Sequence, residues 1–260
     1  MKTSDLKRWF GWLALVVIFS VACALLSNWQ FSRRQEALAA MQQLAENYDA
    51  KPVALEELED PDSLDQSNQW RPVTVTGHYL SANAVVVLNR PLNGVAGFLE
   101  IVPFQLESGN LVMIERGWVA ANDRFEPPSV LPLPSGETQS VTGRIRISEP
   151  AMPTAQTKGR ISSINAAELS QDQGIKDRLF SKLYLRMSSE SISSATGKQL
   201  PKPQLGEGNH LSYALQWILF AIMAAVALVW AIRKERQARS GIAPAVKKDR
   251  DAEYEDELLN

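Results

Sequence analysis

Two apolar runs frame this chain, residues 9–32 and 211–232, and neither contains a formal charge. About 20 apolar residues suffice to cross a bilayer as a helix, so each run predicts a membrane span. Between them the pattern changes to short β-branched or alternating runs at 72–80, 84–88, 98–104, 111–119, 140–147, 159–164 and 181–187, separated by Gly, Pro, Asn and Ser clusters. Six or seven strands with such turn signals predict a mostly antiparallel, β-rich (α+β) domain, built as a barrel or a sandwich. The fold class expected is therefore a membrane protein whose two transmembrane helices flank a β-rich extracytoplasmic domain.

The connecting stretches refine that outline. Residues 33–47 place Leu38, Met41 and Leu44 at helical spacing, which predicts that the first span continues outwards. Residues 56–65 are acidic and read as a solvated loop, 127–134 (PPSVLPLP) as a stiff connection, and 166–179 as a short helix. The first apolar run is longer than the roughly 7–15-residue core of a signal peptide, so a retained anchor is expected. The organisation expected is a short N-terminus (1–8), a span (9–32), the β-rich domain (33–208), a second span (209–232) and a disordered tail (233–260).

Charge sets the orientation. Lys2, Lys7 and Arg8 precede the first span, and Arg233, Lys234, Arg236 and Arg239 follow the second. Basic residues near spans stay on the cytoplasmic side. They outnumber Arg33 and Arg34 at the opposite end of the first span, so both termini are expected in the cytoplasm and the central domain outside. The N-terminus is too short for an Arg-rich transit peptide, which favours a bacterial plasma membrane.

Composition removes several chemistries. The net charge of −2 gives no basic footprint for nucleic acid. A single cysteine, Cys23, excludes an intrachain disulfide and any paired-cysteine metal site, and two histidines, His78 and His210, exclude a multi-histidine centre. No phosphate loop or Ser-His-Asp arrangement is present, and the carboxylates have no identifiable acid–base context, so the chain is not expected to be an enzyme.

The candidate chemistry gathers at the mouth of the second span. At 100° per residue His210, Tyr213 and Trp217 share a stripe, with Gln216 at its edge. A polar side chain carried below a membrane surface needs a partner, and its default reading is functional. His210 is either a ligand for haem iron, seated where a porphyrin can bury its ring and expose its propionates, or an interfacial histidine in an aromatic belt. Trp29-Gln30 closes the first span at the same face, so Gln30 and Gln216 can serve as interhelical hydrogen-bonding glue. Arg33 lies one turn beyond Trp29, suited to a propionate or a lipid phosphate. In the central domain His78 alternates with Thr74 and Thr76 on a solvent-facing strand face. Asn89-Arg90-Pro91 and Arg116-Gly117-Trp118 follow strands, where they either close the end of the barrel or form a partner-binding edge.

Taken together these fragments resemble the surfeit-locus assembly factors of cytochrome c oxidase. Trp29-Gln30-Phe31-Ser32-Arg33 is similar to that family's motif after the first span, and Trp70-Arg71-Pro72-Val73 with Gly77-His78-Tyr79-Leu80 to its first strand. Asn89-Arg90-Pro91, Gly97, Pro103-Phe104 and Arg116-Gly117-Trp118-Val119 resemble its central signature, and Asn209-His210 through Trp217 its closing one. Departures fall at Ser27, where glycine is usual, and at Ala37 and Ala120. The resemblance implies a non-catalytic assembly role: handling or inserting haem a, or stabilising the large oxidase subunit while its haem centre matures. Its implied partners are that subunit, the haem a synthesis machinery and the bilayer. It implies His210 as the haem a ligand; the mechanism expected around that ligand has Trp29, Tyr213 and Trp217 flanking the ring and Arg33 at a propionate. Arg90, Arg116 and Trp118 would then face the oxidase. The competing expectation is a membrane-anchored docking module that holds oxidase subunits without binding a cofactor.

Overall fold

A computed structural model describes residues 3–61, 63–128, 131–152, 159–166, 169 and 178–240. Among the described residues the α-helices with defined bounds are α1 (Thr3–Asn47), α2 (Leu55–Leu58) and α3 (His210–Arg239). Eight strands accompany them: β1 (Val53–Ala54), β2 (Pro72–Tyr79), β3 (Val85–Val87), β4 (Gly97–Leu106), β5 (Leu111–Ala120), β6 (Gln139–Ile147), β7 (Arg160–Ile161) and β8 (Leu183–Glu190). The seven strands expected from sequence are all present, and β1 is an addition. Two compact units result, a helical one from residues 1–38 and 207–260, and a β-rich one from residues 39–206.

The helical unit holds the two spans. Both α1 and α3 are long and apolar enough to cross a membrane. The less exposed positions include Val16, Ser20, Cys23, Ser27, Gln30 and Arg34 in α1, and His210, Ala214, Trp217, Phe220, Ala221, Ala224 and Leu228 in α3. Steps of three and four residues recur among them, which places them on one face of each helix. Small residues meet on this face at Ser27 and Ala214, where the Ser27 hydroxyl reaches the Ala214 carbonyl at 3.0 Å. The opposite faces expose Phe10, Leu13, Ile18 and Leu25 on α1 and Leu215, Ile222, Val226 and Trp230 on α3. Lipid is the solvent that suits them. The apolar run of α3 passes without a break into the charged turns up to Arg239, so the first residues expected in the tail are helical. Residues 241–260 lie outside the described residues, as do most of 166–179 and two of the 127–134 connection.

In the β-rich unit five strands close on themselves. β2 pairs β6, β6 pairs β8, β8 pairs β5, β5 pairs β4, and β4 returns to β2 through Gly77↔Leu106, His78↔Gln105 and Tyr79↔Phe104. Each contact is antiparallel except β5–β8. Closure removes the open edges of the sheet. Val73, Val75, Val102, Phe104, Val112, Ile114, Val141, Ile145, Leu185 and Met187 fill the interior, and Leu55 from α2 packs against them. A fully buried side chain of this size contributes about 1.5–3 kcal/mol.

A second apolar layer covers the outside of β4 and β5. Val85 and Val87 of β3, Ile161 of β7, Ile164 and Leu179 pack there against Leu99, Ile101, Leu111 and Met113. β4 and β5 are therefore buried on both faces, so their sequences lack the alternation of a half-exposed strand. The acidic stretch is only partly a solvated loop. Glu59 is buried and accepts hydrogen bonds from Asn68 Nδ2 at 2.9 Å and from the Asp65 N–H at 3.1 Å.

Candidate functional site

The polar residues of the helical unit meet at the start of α3. His210 Nδ1 lies 2.8 Å from Gln30 Oε1. An amide oxygen can only accept, so this contact assigns the proton to Nδ1 and leaves the Nε2 lone pair free. The opposite ring edge borders a turn: Gly208 has φ +64°, and a Cβ built on it would stand 3.4–3.5 Å from Cδ2 and Nε2 of His210. Those distances are ordinary van der Waals contacts, so it is the left-handed backbone that calls for glycine here.

Two more contacts hold the same seam. Ser27 Oγ donates to the Ala214 carbonyl at 3.0 Å, and both residues are buried. Arg34 Nε donates to Glu207 Oε2 at 2.9 Å. Ser27, Gln30 and Arg34 follow one another at steps of three and four, which puts their side chains on one face of α1. Across from them stand Ala214, His210 and Glu207 in turn.

The remaining residues expected here divide into two groups. Trp217 is half-buried on the seam and stands edge-on to Phe220, with ring centroids 5.8 Å apart. Tyr213 and Trp29 face outwards, each about half exposed. The α3 stripe thus runs His210–Ala214–Trp217, and Tyr213 is turned off it. Gln30 bonds to His210, and Gln216 is exposed. Arg33 is exposed as well; it lies over the Trp29 ring at 5.8 Å and pairs with Glu36 at 2.7 Å. Arg34 and Glu207 went unnoticed in the sequence because neighbouring basic residues cannot be ranked until the seam is known. Ser27 carried a usable signal, since a polar residue at a small-residue position of a span needs a partner.

The β-rich unit has a separate cluster. Arg116 was expected either to close the end of the barrel or to form a partner-binding edge, and its guanidinium has no solvent exposure. In the β4–β5 ladder Glu100 pairs Gly117 and Ile101 pairs Glu115, so Arg116 is the extra residue of a bulge. Its side chain enters the barrel and donates to Glu100 at 3.3 Å, Glu190 Oε1 at 3.3 Å, Ser194 Oγ at 2.7 Å and the carbonyls of Pro132 and Ala195. The Tyr79 ring packs 5.3 Å from the guanidinium carbon, and its hydroxyl donates to Glu190 Oε2 at 3.3 Å. Burial pushes the Glu100 carboxyl up to about 7 against the pull of Arg116, and it pushes the Tyr79 phenol above its ordinary range.

Trp118 and Arg90 are tied into the second apolar layer. The bulge sends Trp118 to the outer face, where its Nε1–H donates to the Arg90 carbonyl and its ring fills the space beside Gly97. Arg90 is half-buried and pairs with Glu149 at 2.5 Å. His78 is half-buried on β2, in register with Gln105. Among the described residues no group of three or more His, Cys, Asp or Glu side chains is placed to hold a metal ion.

The chain has recognisable relatives. The model of the SURF1 family matches residues 17–222. A SURF1-like protein of Mycobacterium bovis is 31% identical over 251 residues, covering 91% of this chain and 90% of the relative. A SURF1-like protein of Rickettsia bellii is 21% identical over 243 residues, 87% of this chain and 92% of that protein. The cytochrome oxidase assembly protein SHY1 of Saccharomyces cerevisiae is 27% identical over 118 residues, 45% of this chain and 30% of the yeast protein.

Proposed function

The chain belongs to the SURF1 family, and from that membership we propose that it is a non-catalytic assembly factor for cytochrome c oxidase which holds haem a as cargo on His210. The name of the yeast relative supports the oxidase role. The observation that carries the haem reading is the 2.8 Å contact between His210 Nδ1 and Gln30 Oε1. Metal-bound histidines typically donate their second ring N–H to a neighbouring acceptor, which fixes tautomer and ring orientation. Gln30 does this for His210. The Nε2 atom then carries the lone pair that an iron centre needs. His210 would hold the iron through Nε2, with Gln30 fixing the ring.

In this reading haem a supplies the iron and the amphiphilic ring, and the protein supplies binding and release. Trp217, half-buried on the seam, offers a flat apolar surface on the membrane side of His210. Trp29 and Tyr213 present aromatic surface at the outward faces of the two helices. A single protein ligand suits cargo that must be passed on, because only one coordinate bond has to be exchanged at transfer. Lys2, Lys7 and Arg8 before the first span and Arg233, Lys234, Arg236 and Arg239 after the second support a plasma-membrane protein with both termini in the cytoplasm and the β-rich domain on the other side. The large oxidase subunit and the haem a synthesis machinery are the partners this reading names.

The test is spectroscopic. Protein co-expressed with haem a synthesis should purify coloured, and His210→Ala should lose the haem spectrum while keeping expression and membrane insertion. If His210→Ala keeps the same haem occupancy and spectrum, direct ligation is rejected. Colourless wild-type protein that still co-purifies with the large subunit would instead support cofactor-free docking.

A further inference from the structure

Of the two adjacent arginines at the outer end of the first span, Arg34 stands on the seam with His210, and Arg33 stands outside it. Arg34 follows Gln30 by four residues, which places it one helical turn, about 6 Å, further along the same face of α1. Its one described contact is from Nε to Glu207 Oε2, at 2.9 Å. A guanidinium has five N–H donors. Among the described residues no other acceptor lies within hydrogen-bonding distance of Arg34, so Nη1 and Nη2 are available to a second acceptor. Arg33, in contrast, is already paired with Glu36 one turn away on its own helix and lies over Trp29.

Glu207 is placed to exchange. It precedes the positive-φ turn at Gly208 and the N-cap Asn209, outside the helix, so it can leave Arg34 without unwinding α3. Arg34 is 31% exposed and Glu207 44% exposed. An ion pair this open contributes little to stability. A planar carboxylate that reached Arg34 could engage two of its N–H groups side by side, a stronger arrangement than the single Nε contact.

We propose that Arg34 is the carboxylate-binding residue of the His210 site, and that Glu207 occupies it as an internal stand-in which the propionate of an incoming porphyrin displaces. This rests on the reading of His210 as a haem ligand. The ligand class is an amphiphile that carries both a metal-centred ring and a carboxylate. Displacing Glu207 replaces one carboxylate by another on the same cation, so the charge balance of the site is kept during loading and release. The pair thereby selects against a porphyrin without a free carboxylate, which would have to leave Glu207 in place or strand the arginine.

The experiment titrates the purified full chain in detergent with haemin and, separately, with haemin dimethyl ester, which keeps the iron and ring but has no carboxylate. Soret absorbance reports Kd. Wild-type protein should prefer haemin by about tenfold, the value of roughly one charge-assisted hydrogen-bonding pair. Arg34→Leu should reduce that preference to within about twofold, and Glu207→Gln, which removes the competing charge, should increase it several-fold. A Glu207→Gln variant that binds haemin better cannot be explained by damage to the fold. The proposal is overturned if Arg34→Leu keeps the wild-type preference, the outcome also expected if Arg34 serves only a lipid phosphate. It is equally overturned if Glu207→Gln leaves the preference unchanged or lowers it. His210→Ala separates the two levels. If that variant binds haemin as wild type does, the ligation reading fails; if it loses haemin while the Arg34 and Glu207 variants behave as wild type, only the exchange at Arg34 fails.

Discussion

Glu100 and Arg116 meet inside the barrel because the ladder between their strands contains one extra residue, and that residue is Arg116. The bulge keeps Arg116 on the inner face with Val112 and Ile114 and moves Trp118 to the outer one. One guanidinium then serves Glu100, Glu190, Ser194 and two carbonyls, an arrangement that closes this end of the barrel with polar groups. A cluster this deep acts on the domain itself.

Removing the cation leaves two carboxylates facing each other without compensation. Arg116→Leu should destabilise the β-rich domain by about 3–5 kcal/mol, the range for breaking a buried pair from one side. Guanidinium unfolding of the detergent-solubilised protein, followed by tryptophan fluorescence, measures it. Arg116→Lys should recover only a small part, because a point charge cannot reach five acceptors at once. A loss below about 1 kcal/mol for Arg116→Leu would contradict an internal structural role for this arginine.

The raised Glu100 carboxyl makes stability depend on pH with an uncommon sign. Its ordinary value is 4.5 and burial lifts it to about 7, so the folded protein holds a proton there that the unfolded chain releases. Stability from this group is complete below pH 4.5 and falls as pH rises through about 7. The loss at about pH 8 is on the order of 3 kcal/mol. Glu100→Gln should flatten that slope in denaturation curves collected across the range and raise stability at the alkaline end. A slope that persists in the variant would assign it to another group.

Barrel closure depends on Gly77. An added Cβ would fall 1.9 Å from the Gln105 carbonyl oxygen, across the β2–β4 contact that completes the ring. Backbone cannot give way there as a flexible side chain can. Gly77→Ala should therefore cost about 3 kcal/mol or more, and limited proteolysis should show cleavage near this seam that wild-type protein resists. Unchanged protease resistance would mean that the ring tolerates opening at β2–β4.

Gln30 is expected to act through His210. Gln30→Leu removes the acceptor of Nδ1–H, which frees the ring to rotate and to change tautomer, so haemin affinity should fall about tenfold or more. Gln30→Glu keeps an acceptor and should retain binding. Soret titrations of the two variants at equal protein recovery make the comparison, and equal affinity for Gln30→Leu and wild type would remove Gln30 from the site.

Much of this architecture was legible in the order of residues along the chain. Uncharged runs of bilayer length needed no tertiary information, since their composition has one favourable solvent. The strands were equally plain, because β-branched runs between Gly, Pro and Asn clusters leave little else for residues 72–80 or 140–147 to form. His210 stood out as a polar group at the mouth of a span, and Trp29-Gln30 as its counterpart.

Pairing was beyond the sequence, for a physical reason in each case. A stripe drawn at 100° per residue joins His210, Tyr213 and Trp217, but the contact with Ser27 of the other helix buries Ala214 and leaves Tyr213 facing outwards. The same packing decides that Arg34 and not Arg33 lies beside His210. In the barrel, one inserted residue reverses the parity of β5 beyond Arg116, and no local pattern announces that a buried arginine will find two carboxylates from β4 and β8. Local composition thus determined which segments are helix, strand and span. Which side chains face one another depends on contacts between segments distant in sequence, and the tertiary structure alone decided those.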